Sequence, residues 1–411
     1  MTVVLVEDER TPQLYPATIG KPAFAISCGS FRLVDLVANI EPDLRVLVRP
    51  HLHDVVEADG LATGLPPAGK EPILFINARL APRAALSAEI QALLMRDAPL
   101  VVRHGNTVLL ARVPAEKCPS EKQLAPQLAS STLLGLGLPS QERELPIFDY
   151  PHDIIRHHLN SLSSNLEQRL AHGEYQEIAD GVFTAPDATL GQHVVTDSRQ
   201  GPILLEREAT VGPFCFLRGP LHLGEKARLI EHTAAKDCVA LGHTTKIGGE
   251  VEGSIIEPYT NKQHHGFLGH SYLGSWVNLG AGTCNSDLKN TYGFVNMEYH
   301  GQKVPTGMQF VGCIVGEYAK TAINTGIFTG KTVGAGSMLY GFVTTNVPSF
   351  VNYARSFGQV TEAPVEVLVA TQARMFARRN VDQRPCDIQL LHDMYELTRH
   401  ERQIAGEPLA L

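Results

Sequence analysis

The chain has 411 residues, 44% hydrophobic and 19% charged, with 36 glycines, 26 prolines and a formal net charge of −8. That length exceeds one ordinary core and points to two or three domains, while the glycine and proline content favours a turn-rich fold over a helical one. The charge excludes a global basic field for nucleic acid or acidic membranes, and seven scattered cysteines without a C-x-x-C suggest neither a disulfide framework nor a thiolate zinc site.

The opening "MTVVLVEDERTPQ" has no basic n-region, and its apolar run is too short for a signal or membrane helix, so a cytoplasmic protein is expected. Residues 1–145 alternate aliphatic runs with helix-like segments. "TVVLVED" and "PILFIN" end in polar residues, as buried parallel strands do. "RAALSAEIQALLM" has helical spacing, and "PLVVRHGNTVLLARV" predicts a hairpin turning at Gly105-Asn106. Residues 146–179, with "FDYPHDIIRHHLNSLSSNLEQRLAHG", predict a helical linker that ends on Gly173.

From 180 to 350 helical periodicity disappears. Aliphatic-glycine pairs recur instead, among them Val211-Gly212, Leu223-Gly224, Leu241-Gly242, Ile247-Gly248, Leu273-Gly274 and Leu279-Gly280, many at intervals of six or its multiples. This hexapeptide pattern predicts a parallel β-helix, each aliphatic pointing into a narrow prism beside a small residue at the corner. A glycine-rich β-sandwich would show hairpin dipeptides and alternation instead. Residues 351–411 carry two amphipathic helical segments, expected to cap the open end of the coil.

Such a coil has no cavity of its own, so function must come from loops off the prism or from grooves between packed copies. The hexad register breaks near 249–264, leading into His264-His265, and again from Gly280 to Val311. The adjacent histidines thus stand beside irregular loops where a ligand can be held.

The stretches "GPFCFLRGP", "GGEVEGSII" and "NKQHHGFLGHSYLGSWVNLGAGTCNSD" resemble the acetyltransferase half of bifunctional GlmU. With "VLVEDERTPQLYPATIGKPAFAI", "NARLAP" and "YPHDII", the whole chain resembles a shorter, variant GlmU-like family of sugar nucleotidyltransferases. The resemblance implies an α/β nucleotidyltransferase-like domain, a left-handed parallel β-helix and a C-terminal helical cap. It implies His264 as catalytic base with Glu250 nearby. Arg218, Asn278 and Lys289 fall at the amino-sugar phosphate, and Glu252 stands where the family has a phosphate-site lysine. Ala281, Asn285 and Gly312 fall at acetyl-CoA. Phe267 and Ser286 each replace a tyrosine of the family. A homotrimer is expected, because three coils packed about an axis bury their flat faces and form grooves between subunits.

The residue chemistry suits these roles. Only the free lone pair of an acceptor amine attacks a thioester; an imidazole near neutrality can take its proton, and a carboxylate can fix the tautomer. Arg218 offers a planar fork to phosphate, and the open turn "LGAGTCN" offers N–H donors to the thioester oxyanion. The same histidines permit a zinc site like that of γ-class carbonic anhydrases, using His265 and His270 with His243 and His232 upstream. In the first domain "EDERTPQLYPATIGKP" has no glycine cluster to cradle a triphosphate, and "NAR" stands where an "NGD"-like motif is expected. There Lys21, Arg32, Asn77 and Arg79 are the candidate nucleoside triphosphate contacts, and Asp8 is the candidate Mg²⁺ ligand. The expected activity is acetyl-CoA-dependent N-acetylation of an amino-sugar phosphate in nucleotide-sugar synthesis. The alternative is a sugar-1-phosphate nucleotidyltransferase whose coil is a scaffold.

Overall fold

The computed structural model describes residues 1–403 except 68, 70 and 126–128, so the last eight residues of the expected C-terminal segment, 404–411, lie outside the described residues. Seven strands, β1 (Thr2–Val6), β2 (Arg45–Leu47), β3 (Ala62–Thr63), β4 (Ile73–Asn77), β5 (Leu100–His104), β6 (Thr107–Val113) and β7 (Ser140–Glu142), form one sheet of order β3-β2-β1-β4-β6-β5-β7. The two apolar runs predicted as buried strands are its parallel centre, with Val4 opposite Phe75. The β5–β6 hairpin turns at Gly105-Asn106 as the sequence suggests.

The linker is one helix, Pro151–His172, begun by a proline and by Asp153, whose carboxylate accepts the N–H groups of Asp149 and Tyr150 (2.9 and 2.8 Å). Two of its faces are occupied. Asn165 donates to the carbonyls of Gly29 and Pro82 in the first domain, while Leu162 and Leu166 bury against Leu204 and Ala240 of the coil. Each such leucine contributes roughly 1.5–3 kcal/mol of burial.

Beyond it the chain winds into a left-handed parallel β-helix with three flat faces. The first face stacks Thr189–Leu190, Thr210–Val211, Arg228–Leu229, Lys246–Ile247 and Asn261–Lys262. The second stacks Val195–Asp197, Phe216–Arg218, Ala234–Lys236, Glu250–Glu252 and Phe267–Gly269. The third is a nine-stranded sheet reaching Lys331–Val333. Val211, Leu229, Leu217, Val251, Leu223 and Leu241 point inward and are almost wholly buried. The lowest turn spans 21 residues, as in Thr189↔Thr210, and those above it repeat every 18, as in Leu221↔Val239 and Arg228↔Lys246; the next turn is shorter, with Lys246 opposite Asn261, and the following one pairs Glu250 with Phe267.

The outward side of the third face is covered. Ile255, Tyr272 and Ile314 belong to the core of the first domain. The loop after β1 lies against them, with Lys21 between Glu257 (3.6 Å) and Glu317 (3.2 Å), both buried. The register break from Gly280 to Val311, expected to be a loop beside a ligand, is largely a fastening. It forms the hairpin Asn296–Tyr299 and Gln302–Pro305, whose Tyr299 hydroxyl meets His152 Nδ1 at 3.0 Å while Arg156 donates to the Thr306 carbonyl. The C-terminal helices Val365–Ala377 and Pro385–Leu397 lie along the flank of the coil: Phe376 sits against Trp276 (4.4 Å), and Arg384 pairs with Asp59. The last turn is finished by the antiparallel pair Val351–Ala354 and Gln359–Glu362. The second face remains open, and exposed Val195, Phe214, Ile323, Phe328 and Phe342 lie on it, on its upward continuation or at the adjoining corner.

Candidate active site

His264 and His265 lie in the corner between the first and second faces. Between Leu229 and Ala234 the corner from first to second face has four residues; between Ile247 and Glu250 it shrinks to Gly248-Gly249; between Lys262 and Phe267 it widens again to Gln263–Gly266. The wide corner overhangs the narrow one so closely that a Cβ on Gly249, whose φ is +72°, would lie 2.7 Å from the Gly266 oxygen. Only glycine fits there. Above, the Gly282 N–H donates to the His265 carbonyl at 3.0 Å, which puts Ala281 one turn above the histidines. The small-residue ladder is therefore a step in the prism, and the histidines are its lip.

Lys262 holds that lip. It stands in register with Ile247, in a column of inward aliphatics, yet is 2% exposed. Its ammonium donates to the carbonyls of Gly248 (2.6 Å), Gly266 (2.9 Å) and His264 (3.2 Å). Burial pushes its pKa down to about 8, against weaker opposite pulls from Cys284 and Glu250. His264 and His265 are exposed, and neither ring has a hydrogen-bond partner among the described residues.

The other expected residues are spread more widely. On the second face the outward column reads Asp197, Arg218, Lys236, Glu252, two cations flanked by two acids. Arg218 pairs with Asp237 at 3.1 Å; Lys236 pairs with Glu250 (2.8 Å) and Glu252 (3.4 Å). Glu250 is thus bonded to Lys236 and not to His264. Arg218 lies three strands below the Phe267 strand, about 14 Å along the coil at ~4.8 Å per strand. Lys236, whose ammonium reaches up to the Glu250 strand, is nearer to His264. Sequence reading missed it, although its spacing of one full turn from Arg218 places it in the same column. Asn278 projects from the first face, in line with Asn261 and Lys320. Lys289 is half-buried and donates to the Phe294 carbonyl.

Two residues assigned to acetyl-CoA are structural. Asn285 is buried and brackets Gly269, accepting its N–H (2.8 Å) and donating to its carbonyl (3.0 Å). Gly312 is crowded against Gly269, Asn285 and Ser271, so it faces no ligand space. His265 and His270 lie on different corners with the Phe267–Gly269 strand between them. His270 is engaged with Asp287 at 2.8 Å and stacked on Phe310. His232 is stacked on Phe214, and His243 meets the edge of Tyr259 at a third corner. These four histidines do not converge within the chain, and no group of three metal-binding side chains occurs among the described residues.

In the first domain the strand ends are closed. Arg79, fully buried, forks onto Asp8 (both bonds 2.7 Å), and Asn77 donates to the same carboxylate. Burial opposes the Asp8 charge, but Arg79 and Asn77 outweigh it and hold the pKa below the ordinary value. A carboxylate so used does not fit a Mg²⁺ site. Glu7 is likewise buried beneath Arg49 (2.9 Å). Lys21 is spent on Glu257 and Glu317, and Arg32 pairs with Asp35 at the rim of a cavity of about 1090 Å³.

Residues 3–172 match the family model of the sugar nucleotidyl transferases. The chain is 26% identical over 143 residues to a bifunctional sugar-1-phosphate nucleotidylyltransferase/acetyltransferase of Sulfurisphaera tokodaii, covering 34% of this chain and 36% of that protein. It is 29% identical over 188 residues to the bifunctional protein GlmU of Thermotoga petrophila, covering 45% and 35%. The chain thus spans about a third of the length of these curated relatives. Among solved structures, the UDP-N-acetylglucosamine acyltransferase of Francisella novicida aligns with a TM-score of 0.30 at 13% identity, over 55% of this chain and 76% of that one.

Proposed function

We propose that this chain, similar over part of its length to GlmU proteins, transfers the acetyl group of acetyl-CoA to the amino group of an amino-sugar phosphate, with His264 as the base. The observation that carries this reading is the unbonded His264 imidazole on a projecting corner whose backbone Lys262 clamps. The amine nitrogen attacks the thioester carbonyl carbon; the new C–N bond forms, the C–S bond breaks, and His264 takes the N–H proton and returns it to the departing thiolate. Lys236 serves as the nearer cation for the phosphate, with Arg218 beyond it. Ala281, one turn above, borders the path of the thioester. The trimer expected for such coils would set a second chain across the open second face and close the groove.

The nucleotidyl transferase fold of the first domain is kept as a docking body for the coil, since its Asp8, Arg79 and Lys21 are occupied by internal partners. No nucleotidyl step is derived from it. Alanine at His264 should lower kcat for acetyl transfer by roughly 10²–10⁴, the usual share of a positioned base, and alanine at His265 far less. Wild-type turnover in His264→Ala, measured with a panel of amino-sugar phosphates, would overturn the assignment.

A further inference from the structure

The coil treats its cations in two ways. On the second face every one is compensated: Arg199 by Asp197 (2.7 Å), Arg218 by Asp237, Lys236 by Glu250 and Glu252. On the first face, Arg228 and Lys246 are neighbours in register on consecutive turns, and Asn261 follows in the same outward column. Arg378 and Arg379, just past the helix Val365–Ala377, come in from the side, with Arg379 donating to Asn261 Oδ1 at 2.6 Å. Among the described residues none of these four cations has a carboxylate within ion-pair distance. They also feel one another. Burial comes first in depressing Lys246, followed by Arg379, Arg228 and Arg378; Arg379 is depressed by burial and then by Arg378 and Arg228.

In a chain of net charge −8, four adjacent cations left uncompensated are held together against their own repulsion by the fold. We propose that they form a binding site for a polyphosphate group, seated in the cleft between the first face and the end of the C-terminal helix. Guanidinium forks and a lysine ammonium match phosphate oxygens, and Asn261 fixes one fork in place. Arg228 to Asn261 spans two strand spacings, about 10 Å, which suits a di- or triphosphate and is short for a nucleic-acid backbone. Arg379 also lines the cavity of about 1090 Å³, whose wall carries Arg207, without a carboxylate partner among the described residues, together with the acids Asp35, Glu174, Glu206 and Glu225. A nucleoside attached to the phosphates would have room there. The site is separate from His264 and depends on none of the roles proposed for it.

Titration calorimetry of the full chain at low salt, with inorganic tripolyphosphate and with UTP, tests this. Both should bind, and the double variant Arg228→Gln, Lys246→Gln should weaken both by about tenfold or more, while Arg199→Gln on the second face leaves them unchanged. Tighter binding of UTP than of tripolyphosphate identifies a nucleotide as the ligand; equal binding identifies the phosphate chain alone. The proposal is overturned if neither binds at millimolar concentration, or if Arg199→Gln weakens binding as much as the double variant. It is equally overturned if the double variant changes the sedimenting mass, which would show that a second copy supplies the missing carboxylates.

Discussion

Lys262 is the residue whose behaviour least follows from its hydropathy. It occupies an aliphatic position, and replacing it by methionine keeps the volume but strips donors from the carbonyls of Gly248 and His264. An unsatisfied buried acceptor costs about 1–3 kcal/mol, so Lys262→Met should lower unfolding free energy by roughly 2–4 kcal/mol. The sign of its pH dependence follows from a folded pKa of about 8 against an ordinary 10.5. Between those values the unfolded chain binds the extra proton, so the wild-type stability contribution rises with pH there, by at most about 1.4 kcal/mol per unit. The penalty of Lys262→Met should therefore grow from pH 8 to 10 in urea titrations. A penalty that stays flat over that window would mean an unshifted pKa, with the ammonium in water and not among the carbonyls.

At the scale of elements, the second-face ladder decides which cation meets the acceptor phosphate. A hexosamine phosphate is too short to touch His264 and a guanidinium three strands, about 14 Å, away. Lys236→Ala should then raise the acceptor KM more than Arg218→Ala does, with the acetyl-CoA KM nearly constant in both; the reverse order would mean that the acceptor lies lower on the face. The elements themselves were largely legible. "TVVLVED", "PILFIN" and the hexad glycines carry periodicities that follow from burial alone, and each became the strand or corner expected. The site was less so. His264 stood out because a register break flanks it, but Glu250, Asn285 and Gly312 were carried over by alignment, which does not record what a side chain already holds. The Asp8–Arg79 pair was not legible either: the two are 71 residues apart, and only the fold brings them together.

For the whole molecule, the contact between sheet domain and coil combines the apolar packing around Tyr272 with one buried cation between two buried carboxylates. Burial opposes the Lys21 charge, but Glu257 and Glu317 outweigh it and hold its pKa above the ordinary value. Lys21→Met would leave both acids unpaired and should cost about 3–5 kcal/mol in chemical denaturation. Adding Glu257→Gln and Glu317→Gln should recover most of that loss. If the single variant unfolds like wild type, the domains are joined chiefly by the apolar contacts around Tyr272. The open second face carries the other expectation, a trimer in sedimentation whose dissociation abolishes acetyl transfer; a fully active monomer would contradict it.

The step at Gly248-Gly249 also divides the coil into two cassettes. Below it, turns repeat at 18 residues after a lowest turn of 21; across it, Lys246 meets Asn261 and Glu250 meets Phe267, so the numerical phase of the lower turns no longer predicts a column above. Whole turns can be duplicated or removed below residue 247 without rotating any outward column, as if the lower stack were a spacer of adjustable length. Across the step the same cut would swing the histidine lip round to another face. Variation in coil length among related chains should accordingly collect beneath the glycine pair, and a chimera joined at Val211 or Leu229 should retain the corner that one joined at Gln263 would lose.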